Sequence, residues 1–99
     1  MLVAFSIAPA TSDESGGVAE AVAAAVKVVR DSGLPNETNA MFTNIEGEWD
    51  EVMAVIKQAV DVVSAHSPRV GLVLKADIRP GFGGELTAKV QRVERALGE

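Results

Sequence analysis

Cysteine is absent from all 99 residues. That excludes disulfide scaffolds, thiol nucleophiles and cysteine-based zinc sites together, and it fits a reducing cytoplasm. Basic residues are few: 9 Lys and Arg stand against 14 Asp and Glu, a formal charge of -5. Proteins that track nucleic-acid phosphates or adsorb to anionic membranes carry the opposite bias, so neither partner is expected. Long apolar runs are also missing. The uncharged stretch from Met1 to Ser12 is well short of the ~18 residues of a candidate membrane span. It has no leading Lys or Arg, so it does not read as a secretory signal, and a cytoplasmic location is the expectation. Histidine occurs once, as His66 before Ser67-Pro68. A single imidazole at a helix end suits contact with free carbonyls rather than a Ser/His/Asp constellation. The acids from Glu46 to Glu51 lack the spacing of a calcium loop. Glycines 81, 83 and 84 are not followed by the Lys-Ser or Lys-Thr of a phosphate loop. Neither catalytic residues nor a metal site is expected.

What is present suits a folded chain. The hydrophobic fraction is 47% and the charged fraction 23%, ordinary for a globular protein and enough for one domain over residues 1–99. Leu2 to Ala8, closed by Pro9, is a short apolar run and reads as a strand, with Val3, Phe5 and Ile7 on one side. Val18, Ala21, Val22, Ala25, Val26 and Val29 recur at helical spacing, with Ser12 and Ser15 as candidate N-caps and Gly33 and Pro35 as the stop. Thr38, Ala40 and Met41, then Thr43, Asn44 and Ile45, read as two short strands around a tight turn near Phe42. A second helix carries Trp49, Val52, Met53, Ile56, Val60 and Val63 as its apolar stripe and ends at His66 to Pro68. Val70 to Ile78 alternates as a strand, with Val70, Leu72, Leu74, Ala76 and Ile78 predicted to face the core. After the Pro80 to Gly84 loop, a short helix places Leu86, Val90, Val93 and Leu97 on one side.

This order predicts an α+β, ferredoxin-like βαββαβ sandwich with an additional C-terminal helix. Both long helices then cover one face of an antiparallel sheet. The other face carries Leu2, Ala4, Ser6 and Ala8, with Gly71 and Val73 beside them. An open apolar strip of this kind is usually an interface, and a homo-oligomer is the simplest way to cover it. Ser6, Lys75 and Asp77 project from the same face, with Arg79 at the strand end. Lys75 and Asp77 can form a plain ion pair, or Asp77 can serve a small polar pocket between subunits. The RNA-recognition module shares the element order but stacks bases on aromatics, where this face has Ser6 and Ala4.

Three blocks extend the reading. Leu2-Val3-Ala4-Phe5-Ser6-Ile7-Ala8-Pro9, the stretch from Met41 to Trp49, and Lys75-Ala76-Asp77-Ile78-Arg79-Pro80-Gly81 resemble the thiamine-binding protein family in order and spacing across essentially the whole chain. The resemblance implies a ferredoxin-like fold in a homotetramer. It implies binding of thiamine, or of its pyrimidine part, near subunit contacts, with no catalytic activity attached. For such a ligand Glu46 and Asp77 are candidate acceptors, Ser6 and Thr43 candidate hydroxyl partners, and Met41 and Phe42 an apolar wall. Lys75 is placed to orient Asp77. Trp49 can offer an aromatic face but, opening the second helix's stripe, is assigned to the core. Glu46 has a competing role at a helix N-terminus. A regulatory or scaffolding oligomer without a small ligand would use the same strip.

Overall fold

A computed structural model describes residues 1–10 and 17–98 of the chain. The candidate N-caps Ser12 and Ser15 lie outside the described residues. The elements are β1 (Leu2–Pro9), α1 (Gly17–Asp31), β2 (Asn36–Thr38), β3 (Thr43–Glu46), α2 (Trp49–Ser64), β4 (Val70–Asp77) and α3 (Glu85–Ala96). The sheet runs β2-β3-β1-β4 and every neighbouring pair is antiparallel. This is the ferredoxin-like arrangement with one further helix.

Alternation along β1 puts Val3, Phe5 and Ile7 on the buried face. They meet Ala21, Ala25 and Val29 of α1, Ile45 of β3, and Val52, Ile56, Ala59 and Val63 of α2 in one core. The three alanines let the helices approach the sheet and one another closely. α1 stops where Gly33 takes the left-handed conformation at φ 79°, and Ser32 Oγ donates to the Val29 carbonyl at 2.6 Å. α2 opens with Glu48 as its N-cap, and Glu51 Oε1 accepts from the Glu48 N–H at 3.3 Å. Gly47 precedes it at a tight crossing, where a Cβ would sit 3.2 Å from Val52 Cγ2 and 3.3 Å from Leu34 Cδ1.

Three expectations change. Ala40 and Met41 belong to a four-residue loop and not to a strand. Asn39 Oδ1 accepts from the Met41 and Phe42 N–H groups at 2.9 and 2.8 Å, so a side chain replaces the ladder there. The apolar side of β4 is not core beyond Val70, which is partly buried against it. Opposite Phe5 and Ile7 stand Leu74 and Leu72, yet both are exposed, and so is Ile78 beyond the strand's end. β4 is an edge strand paired only with β1, and the core is closed by α1 and α2 over β1 and β3. Trp49 is exposed as the first residue of α2, since the buried side of that helix begins at Val52. Val90 and Val93, which the sequence placed on one side of a short helix, are exposed on α3, as is Leu97 at its C-cap.

Candidate functional site

Strand register assembles the site. Leu2 stands opposite Glu46 on one side and Asp77 on the other, and Ala4 opposite Asn44 and Lys75. Directly opposed residues share a face. All six therefore lie on the sheet face away from α1 and α2. Ala4 leaves a depression between longer neighbours, and α3 brings Lys89 over its end. The result is a cavity of about 140 Å³ lined by Leu2, Ala4, Asn44, Lys75, Asp77 and Lys89. Its chemistry is one carboxylate, two ammonium groups and one amide above an aliphatic floor.

Asp77 pairs with Lys89 rather than with Lys75. The hydrogen bond from Lys89, followed by that ammonium's charge, holds the Asp77 carboxyl below its ordinary value of 3.8, with Arg79 and Lys75 adding smaller pulls. Asp77 is thus anionic at neutral pH. A carboxyl lowered in the folded state stabilises the fold above its unfolded value of about 3.9, and that contribution is lost as pH falls through the lower folded value. An NMR titration of the Asp77 carboxyl carbon is expected to give a midpoint below 3.8. Lys89→Met should move that midpoint upward, and an unmoved midpoint would remove Lys89 as the cause.

Glu46 is held elsewhere. Its carboxylate is buried, with Oε2 accepting from the Glu85 N–H at 2.8 Å and Oε1 from the Leu86 N–H at 3.4 Å. It caps α3 from β3, where Gly84 at the N-cap position offers no side chain. The competing helix role is the one observed, at α3 and not at the neighbouring α2. Ser6, Met41 and Thr43 line a different cavity of about 130 Å³, between α1 and the loop at 39–42. Thr43 pairs with Phe5 and so lies on the helix-covered side. Of the six expected contacts, Lys75 and Asp77 meet in the open-face cavity, Ser6, Met41 and Thr43 meet in the other, and Glu46 lines neither.

Asn44 and Lys89 were missed. Parity along β3 could have found the first, because Asn44 is two residues from Glu46 and shares its face, whereas Thr43 is three away. Lys89 carries no such signal, because its position depends on where Glu46 seats the start of α3. Among the described residues no group of three or more His, Asp or Glu could hold a metal ion. No described helix is long and apolar enough to cross a membrane.

Residues 3–94 match the sequence profile of a family described as thiamine-binding protein. A UPF0045 protein of Mycobacterium bovis is 56% identical over 98 residues, covering 98% of this chain and 94% of its own length. The crystal structure of a hypothetical protein from Methanocaldococcus jannaschii superposes with a TM-score of 0.82 at 31% identity, over 94% of each chain. A Thermotoga maritima structure described as a candidate thiamine biosynthesis/salvage protein gives a TM-score of 0.75 at 25% identity, over 92% of this chain and 97% of that one.

Proposed function

Because the chain belongs to the thiamine-binding protein family, we propose that it binds thiamine or its aminopyrimidine part, without catalysing a reaction on it, in the open-face cavity of a cytoplasmic homo-oligomer. The observation that carries this reading is the convergence of Asn44, Lys75, Asp77 and Lys89 on one cavity of the sheet face away from α1 and α2, where α3 covers only the Glu46 end. An aminopyrimidine presents an amino donor beside ring-nitrogen acceptors. Asp77 can accept from the amino group, Lys75 can donate to a ring nitrogen, and the Asn44 amide can do either. A thiazolium cation is drawn to the same carboxylate.

At about 140 Å³ the cavity is smaller than the roughly 300–1,000 Å³ of a complete small-molecule site. It has room for one ring and needs a second wall. Val73, 59% exposed beside Ser6 on the same face, belongs to the strip that another copy would cover. A homotetramer, as the family resemblance implies, would supply that wall. Glu46 acts in this reading by seating α3, not by touching ligand.

Titration calorimetry with thiamine and with 4-amino-5-hydroxymethyl-2-methylpyrimidine tests the proposal. Saturable heat is expected from the thiamine. Asp77→Asn should weaken thiamine at least tenfold and leave the native mass unchanged. No heat at millimolar ligand from an intact oligomer would leave the scaffolding oligomer, which needs the Val73 strip and no cavity. A clean monomer by native mass spectrometry would remove the second wall.

A further inference from the structure

A third cavity, of about 180 Å³, shares no residue with the other two. Two of its walls are aromatic: Trp49, which opens α2, and Phe82, in the loop between β4 and α3. They are 55% and 51% exposed. Large aromatic rings normally bury their area, so two of them open on one concavity call for an explanation. Ile78 and Pro80 add aliphatic walls.

The cavity is lined by one acid, Glu48, and one guanidinium, Arg79. The Arg79 guanidinium carbon lies 3.6 Å from the centroid of the Phe82 ring. Stacking fixes the plane of the guanidinium and leaves its edge N–H groups able to donate to an anion. The acids nearby are already engaged. Asp77 pairs with Lys89, and the Glu48 carboxylate, which lines the cavity, takes part in the capping box of α2. Arg79 takes part in none of the ion pairs among the described residues. A chain of net charge -5 thus keeps, in a cavity with two open aromatic rings, a guanidinium that has no salt-bridge partner among the described residues.

We propose that this cavity is a second ligand site, taking a flat aromatic ring that bears a phosphate or carboxylate group. The ring stacks beside Trp49 and the anion meets the free edge of Arg79, a bidentate geometry that guanidinium offers and ammonium does not. This goes beyond the thiamine reading and uses none of its residues.

Trp49 is the only tryptophan and the chain has no tyrosine, so tryptophan emission reports on this cavity alone. The full chain would be titrated with adenosine monophosphate and nicotinate, which join a ring to a phosphate or a carboxylate. Nicotinamide supplies a ring without the anion, and inorganic phosphate the anion without a ring. Saturable quenching is expected from adenosine monophosphate, nicotinate or both, with the responding probe identifying the anion. The two controls should give none. Arg79→Met should weaken the response at least tenfold without changing the melting temperature, since the side chain is exposed. The proposal is overturned if neither ring-anion probe quenches, or if Arg79→Met responds like the natural chain. It is also overturned if Trp49 emission shifts with protein concentration in step with native mass, because a second copy then covers the cavity. The thiamine reading stands or falls separately on calorimetry and Asp77→Asn.

Discussion

Glu46→Ala is expected to unseat α3 while leaving the rest of the fold in place. The helix has few anchors. Its Val90, Val93 and Leu97 are exposed, and Arg92 pairs only with Glu85 of the same helix. What ties it to the sheet is the Glu46 carboxylate on its first amides and the Lys89–Asp77 pair one turn later. Removing a capping group that accepts as a buried carboxylate costs about 1–3 kcal/mol. The loss falls on α3, so amide exchange over residues 85–96 should quicken at least tenfold while β1 and α2 keep their protection. Glu46→Gln retains one accepting oxygen and should recover part of the effect. Ligand affinity should fall as well, since Lys89 leaves the cavity with the helix. Unchanged exchange in α3 would mean that packing, not the cap, holds it.

The legibility of this protein in its sequence followed local periodicity. β1, α1 and α2 were plain because each presents one apolar face at its own period and ends on a turn or helix-stop signal, such as Gly33 before Pro35. The element order then led to an antiparallel ferredoxin-like sheet and to the open face with Leu2, Ala4 and Lys75 on it. β4 misled for a physical reason. Its alternation of Leu72 and Leu74 with less apolar neighbours is that of a core strand, yet its neighbours in space are decided by where two helices sit. Trp49 misled similarly: it opens the apolar stripe of α2, but the covered arc of that helix begins three positions later.

The candidate site was harder, because it depends on register and on long-range contacts. Asp77 and Lys75 were found since both lie on one strand. Thr43 and Glu46 were grouped by chemistry although their spacing puts them on opposite faces of β3. The burial of Glu46 under α3 joins residues 39 positions apart, and nothing local announces it. The Asn39 loop was in principle legible, as asparagine commonly accepts from backbone amides two and three residues on.

The largest expected effect belongs to Phe5→Ala. Phe5 is 2% exposed and among the largest fully enclosed side chains, set between the helices on the central strand. Its removal should cost about 3–5 kcal/mol, because the surrounding core can only partly collapse into the void. For a domain of this size each kcal/mol moves the melting temperature by roughly 4–8 °C, so a fall of more than about 10 °C is expected. Val73→Ser, on the neighbouring strand β4 and the opposite face of the sheet, provides the contrast. For a chain on its own, this exposed position should cost no more than about 0.5 kcal/mol. Under a second copy the same change exposes an apolar contact to a hydroxyl, and its cost rises with protein concentration because assembly adds to apparent stability by mass action. Melting curves of both variants at two concentrations separate these forces: the Phe5 effect stays constant, and the Val73 effect grows. A constant, near-zero Val73 effect would leave the strip bare and the open-face cavity without its second wall.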